Sequence, residues 1–459
     1  MSIVSQQRSI VSGRVALGML FAAFFFFLGV QPVSADASGA AAVPAALSDE
    51  AAIVGGADAS GSDADEAKVK KKKKKKKKND FRVYWKNGLR FRSNDRNFRF
   101  KLGGTMQLDA GIVMPSRALQ EEFDIDSMGN DVQFRRARFA LEGTLYKIFD
   151  FKFQYGFVNG DAGFRDMYVA LKKVPFLQRI QVGQFKEPFS LERMTSSNNV
   201  TFMERSLQSR LEPRRNPGIG AFMHFLDKRM TAAAGAFRIT DDLGDTFDSG
   251  SPYSLAARVT GLPWYDNKGE HLLHLGLSYA FEFRNGDEIR VRQRPSTQFG
   301  PRLVDTGRFI TNDITYLDPE IALVVGPFSL QAEYLHAFLN QEYIGDPQFS
   351  GWYVETSYFL TGEHRPYNRR LAKFKRLKPI EDFGWGEGSG WGAWQVAARF
   401  SQFDLNSGDI EGGRMEDFTF GVNWYLNRSM RVMFNYVYGD RNDRPGSENV
   451  YQMRFQTAF

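Results

Sequence analysis

Two arginines one residue apart, Arg136 and Arg138, open a series of cations that recurs along the chain opposite an apolar face. Side chains alternating with period two send Arg136, Arg138, Lys152, Arg258, Arg284, Arg399, Arg431 and Arg454 to the wet side of their segments. A guanidinium offers a planar fork that fits an oxyanion, keeps its charge at any physiological pH and sheds water more readily than an ammonium. A file of such groups passes an anion between several weak sites, where one tight site would stall it. Three acids, Glu142, Glu282 and Glu333, are assigned to the same side, so the expected lining leans positive. Generic wall charge that only structures water is the competing reading.

Other chemistry is poorly supported. The five histidines, His224, His271, His274, His336 and His364, have no cysteine beside them and no ligand spacing with further donors, so neither a metal nor a cofactor is expected. No serine is placed with an activating histidine, and the chain is not expected to be an enzyme. The acidic stretch 241–248 lacks the full calcium-loop pattern and reads as a solvated loop.

The elements that must position the cations are strands. In 271–284, Leu273, Leu275, Leu277, Tyr279, Phe281 and Phe283 share a face opposite His274, Gly276, Ser278, Ala280, Glu282 and Arg284. In the last ten residues Tyr451, Met453, Phe455, Thr457 and Phe459 oppose Gln452, Arg454 and Gln456. About sixteen such runs of nine to fourteen residues occupy 80–459, an even number that suits a closed antiparallel barrel crossing a membrane. The fold class is therefore all-β, a transmembrane antiparallel barrel with a wet lumen. Forty-two Phe and seventeen Tyr in a chain of mean hydropathy −0.39 need the lipid that half of each strand would face. Short links such as Lys147-Ile148, Gly326-Pro327 and Asn427-Arg428 are expected at the periplasmic end, and long ones, 187–217, 285–317 and 362–390, outside.

Ahead of the barrel, Arg8 and Arg14 precede an apolar run ending near Val30, with a small-residue site at Val33-Ser34-Ala35, so residues 1–35 read as a secretory signal. Residues 36–79 end in the run Lys70 to Lys78 and read as a disordered periplasmic tether. Of the formal charge of +7, the first 79 residues hold +5 and the barrel only +2, so anion preference must come from where charges point. Secretion also excludes a nucleic-acid partner for the lysines. The partners expected instead are outer-membrane lipid and small anions.

The stretches 81–104, RRARFALEG at 135–143, VGQFKEPFSLERMTSSNNVTFMER at 182–205, YVETSYFLTGEHRPY at 353–367 and GAWQVAARFSQFDL at 392–405 resemble the phosphate-selective porin O and P family. The resemblance implies a sixteen-stranded outer-membrane barrel, a homotrimer and a pore for anions, with phosphate or polyphosphate the substrate of the best-known members. It also implies that the long link after Lys186 folds inward as a constriction, with Lys186 and Arg193 foremost, then Arg205, and with Arg210, Arg214 and Arg215 on the same segment. Glu187, Glu192, Glu204 and Glu212 stand among them, so local pairing would weaken the field, and a general or carbohydrate-passing porin without phosphate selectivity, or a structural barrel that binds at its surface, is the alternative expectation. The terminal strand ending on Phe459 is expected to be the signal read by the barrel-assembly machinery.

Overall fold

The computed structural model describes residues 81–158, 162–241, 243, 252–341, 345–386 and 389–459. The expected signal, 1–35, the lysine tether, 36–79, and most of the acidic stretch 241–248 lie outside the described residues. Sixteen strands among the described residues form one antiparallel barrel: β1 Arg99–Pro115, β2 Gly129–Leu145, β3 Phe149–Gly156, β4 Gly163–Val174, β5 Gln178–Lys186, β6 Arg215–Phe225, β7 Met230–Arg238 and β8 Tyr253–Asp266 make the first half. The second half comprises β9 His271–Ile289, β10 Phe309–Val325, β11 Phe328–Asn340, β12 Gln348–Phe359, β13 Ala393–Ser407, β14 Ile410–Tyr425, β15 Met430–Arg441 and β16 Ser447–Ala458. Each pairs with its neighbour, and β16 closes on β1 from Glu448 opposite Pro115 to Ala458 opposite Thr105. Closure leaves no unpaired edge in the bilayer, where an orphaned backbone group has no water to turn to.

Period-two alternation decides which side meets lipid. On β16, Tyr451 and Met453 stand exposed on the outer face while Arg454 is fully buried within. Val259 on β8 faces Leu277 on β9, and both present apolar surface outward. Near the turn end Trp394 and Trp424 stack at 5.2 Å, as expected of an interfacial aromatic belt. A hairpin of Phe81–Trp85 and Leu89–Ser93 extends the sheet by pairing Leu89 to Arg92 with β1, and Trp85 packs against the Phe459 ring.

Two features depart from the sequence reading. Strands β9 and β10 run to Ile289 and from Phe309, so the link between them shrinks to 290–308. More important, the long link 360–392 is not at the end that carries the long loops. It joins β12 to β13 at the end bearing both termini of the barrel and the turns at 146–148, 326–327 and 426–429. Strand parity fixes this, since every second link lies at the same end whatever its length. The link 408–409, at the opposite end, is a two-residue turn.

Among the described residues, three links fold into the lumen. The segment 187–214 crosses it, with Ser190 N–H donating to Ser278 Oγ on β9, Leu191 N–H to Glu333 on β11, Leu207 N–H to Ser401 Oγ on β13 and Met203 N–H to Asn435 Oδ1 on β15. The segment 290–308 sends Ser296 to Asp417 and packs Phe299 against Val113, Val437 and Val450. The segment 360–392 enters from the opposite end, where the Tyr367 hydroxyl meets His274 Nδ1 at 2.8 Å and Tyr367 and Phe374 pack with Leu191, Leu272 and Val324. The lumen beside β9–β13 is thus partly filled by apolar side chains, and open space remains beside β1–β6.

Candidate functional site

The open space is a chamber of about 650 Å³ walled by the inward faces of β1–β6, the start of the 187–214 segment and the tip of the 360–392 link. Alternation on β1 places Arg99 and Lys101 there, β2 adds Arg138 and Glu142, and β3 adds Asp150 and Lys152. From β4 to β6 come Asp166, Lys172, Arg179, Lys186 and Arg215. Lys373 and Arg376 reach in from the 360–392 link, and Arg90 from the amino-terminal hairpin. Eleven basic side chains therefore face three acids.

The acids are shared. Asp166 accepts from Lys152 and, at 2.8 Å, from Arg215; Asp150 accepts from Lys172 at 2.7 Å and Arg179 at 2.9 Å; Glu142 lies 3.3 Å from Lys101. Arg99 donates to Thr144 Oγ1, Arg376 to Ala458 O, and Lys186 to the carbonyls of Arg193 and Thr195. Neutral acceptors leave the Arg99 and Arg376 charges uncancelled. Lys373, outside the membrane-spanning strands, is pushed down to about 8 by burial, with Asp166 opposing the shift and Lys152 and Arg215 reinforcing it.

The other cations expected on the wall have protein partners. Arg454 makes a paired contact with Asp109 at 2.6 Å and reaches Glu204 at 2.8 Å; Arg136 donates to Gln107 at 2.7 Å. Arg431 holds Val200 O, and Arg399 holds Glu204 O with its guanidinium over the Phe202 ring. Arg258 grips Glu320 at 2.6 Å and Ala372 O, while Arg284 meets Glu282. These side chains face inward, and most of them fasten the inserted segments. The three acids assigned to the wall prove too few, because Asp109, Asp166, Glu320, Glu355 and Asp417 also point inward and engage partners.

The six cations of the 186–215 region separate. Lys186 and Arg215 line the chamber. Arg193 is bound to Glu212 at 2.7 Å, and Arg205 to Thr195 O at 2.9 Å, its pKa pushed down to about 10 by burial and by Arg193. Arg210 is pushed down to about 10 by burial and by Arg214, Arg302 and Arg292, which marks a second basic cluster shared with the 290–308 link. Arg135 was not foreseen. A bulge at the β1–β2 pairing, between Arg136 and Phe134, turns it inward onto Glu204 at 2.9 Å, and with Arg136 and Arg454 it holds that carboxyl well below the usual range. Arg99, Lys101, Lys172 and Arg179 were legible from strand parity, whereas nothing in the sequence places Lys373 or Arg376 inside.

A family model described as "Phosphate-selective porin O and P" matches residues 100–459. The chain belongs to that family. The porin is 28% identical over 406 residues to Porin O of Pseudomonas aeruginosa, covering 78% of this chain and 86% of the relative. It is 27% identical over 403 residues to an uncharacterized protein of Caulobacter vibrioides, covering 82% and 77%. Among solved structures, the anion-selective porin from Comamonas acidovorans superposes with a TM-score of 0.49 at 12% identity, covering 79% of this chain and all of that one. The porin is an outer-membrane β-barrel channel.

Proposed function

We propose that this porin conducts small anions, with phosphate-like oxyanions preferred, from the basic cluster of Arg210, Arg292 and Arg302 at the loop end to the chamber beside β1–β6. The observation that carries the reading is the chamber's lining of eleven bases against three acids. In a space this narrow, fixed positive charge draws anions in and repels cations, and several donors of moderate strength let them leave again. The name of the family to which the chain belongs supports phosphate as the leading solute. The inserted segments that narrow the lumen speak against large sugars as cargo. Family membership also supports a homotrimer and insertion through the carboxy-terminal strand, whose Phe459 pairs with Gly104 through two backbone hydrogen bonds.

Reversal potentials in planar bilayers under a potassium chloride gradient test the reading. Anion preference with chloride current suppressed by added phosphate is the expected result. Chloride current indifferent to phosphate reduces the porin to a broad anion channel, and cation preference overturns the proposal.

A further inference from the structure

Three carboxylates more than a hundred residues apart in part converge inside the barrel, away from the chamber. Glu212 ends the inserted 187–214 segment, Asp318 lies on β10 and Glu333 on β11; they are 2%, 0% and 3% exposed. One oxygen from each lies within 4.8 Å of the others. That spacing fits oxygens gathered about one ion at roughly 2.3–2.6 Å, since ligands on opposite sides then stand about 5 Å apart.

The local charges do not balance. Glu212 accepts from Arg193 at 2.7 Å and from the Ser190 hydroxyl at 2.9 Å. Glu333 accepts from the backbone N–H groups of Leu191 and Glu192, from the Gln331 amide and from the Tyr353 hydroxyl, all neutral donors. Arg258, the other base nearby, is committed to Glu320. Three acids thus share one guanidinium.

Two of the side chains here carry buried oxygens with no hydrogen-bond partner. Neither oxygen of Asp318 has a hydrogen-bond partner, although the residue is completely buried. The side-chain oxygen of Gln331, a residue 1% exposed and outside the acidic trio, is likewise without a partner, while its amide nitrogen sits 3.0 Å from Glu333. Buried oxygens left in this state are strongly disfavoured unless a cation or a proton meets them. We propose that Glu212, Asp318 and Glu333 bind one divalent hard cation, Ca²⁺ by ligand class, with the unpartnered carboxylate of Asp318 at its centre. The donor set is oxygen only, which excludes a soft-metal preference, and its dry, all-protein character suits Ca²⁺ better than Mg²⁺, which keeps several waters. The ion rivets the inserted segment to the barrel wall at β10 and β11.

The test uses the full-length protein in detergent, stripped with EDTA, desalted and re-equilibrated with CaCl₂. Elemental analysis after gel filtration is expected to find about one Ca²⁺ per chain in the wild type, with a dissociation constant on the order of micromolar. Asp318→Asn is expected to lose it, and Asp131→Asn, on an exposed residue, to keep it. Tyr353, bonded to Glu333, should sensitise Tb³⁺ emission that Ca²⁺ displaces. Ca²⁺ should also slow proteolysis within 187–214 by about tenfold relative to EDTA at an ion concentration near ten times the dissociation constant. Equal Ca²⁺ in wild type and Asp318→Asn overturns the proposal. So does a protonated-carboxyl infrared band in the wild type that persists in saturating Ca²⁺, because shared protons then satisfy the trio. Should Asp318→Asn fail to fold, the Tb³⁺ and infrared readings on the wild type decide. All of these are independent of ion selectivity.

Discussion

Lys373 offers the sharpest test of the chamber, since its ammonium lines the cavity from a link that the bilayer does not hold in place. Lys373→Gln removes one charge at nearly constant volume. A cavity of about 650 Å³ has a radius of roughly 5 Å, so an anion at its centre feels each lining charge by about 0.8 kcal/mol in water-like dielectric and up to about 3 kcal/mol at an effective dielectric near 20. About 1 kcal/mol is a reasonable value for a wet pore, or roughly a fivefold loss of anion partition. The same charge also titrates. With a pKa near 8, Lys373 is cationic below that value and neutral above it, so wild-type anion preference should fall as pH rises through 8. Reversal potentials and low-salt conductance in planar bilayers, taken from about pH 7 to about pH 9, read both effects. The variant should start lower and lose most of the wild type's pH dependence in that window. A variant that matches the wild type in permeability ratio and in pH profile would refute the assignment of the chamber as the selective site.

Other outcomes follow from the same contacts. Asp166→Asn strands Lys152 and Arg215 without their acid, so thermal stability should drop by about 3 kcal/mol while anion preference rises; a fall in preference contradicts the electrostatic reading. Tyr367→Ala removes an aromatic anchor of the 360–392 link from its apolar nest at a cost of about 3–5 kcal/mol, and single-channel conductance should increase as the link loosens; unchanged conductance would place the link outside the conducting path. Burial raises both Glu187 and Glu192 to about 7 from 4.5, so each favours folding most below about 4.5 and loses that contribution as pH rises through 7. Denaturant midpoints at about pH 5 and about pH 8 should therefore converge in Glu192→Gln relative to the wild type, by up to roughly 3 kcal/mol, and an unaltered pH dependence would remove Glu192 from that role.

The barrel was legible because lipid imposes a strict rule on every second residue. The runs at 271–284 and 448–459 show it without interruption, and the inward direction of Arg258, Arg399, Arg431 and Arg454 follows from the same parity. Partnership was not legible. Arg454 meets Asp109 across 345 positions and Arg399 reaches Glu204 across 195, distances at which alternation says nothing. Length misplaced the 360–392 link, whose end of the barrel is set by strand count, and its inward fold rests on tertiary contacts such as that of Tyr367 with His274. The carboxyl trio escaped notice for the same reason, because one member belongs to a loop and two to neighbouring strands.

Arg454 stands on the last strand, Asp109 on the first, and Glu204 on the segment that crosses between them. The seam of the cylinder and the narrowing of its bore are therefore joined by a single clasp. A nascent barrel that zipped its terminal strands before the crossing segment arrived would trap a guanidinium short of one counter-ion, and a segment that docked early would find no seam to hold. Closing the wall and seating the crossing segment thus draw on one and the same guanidinium.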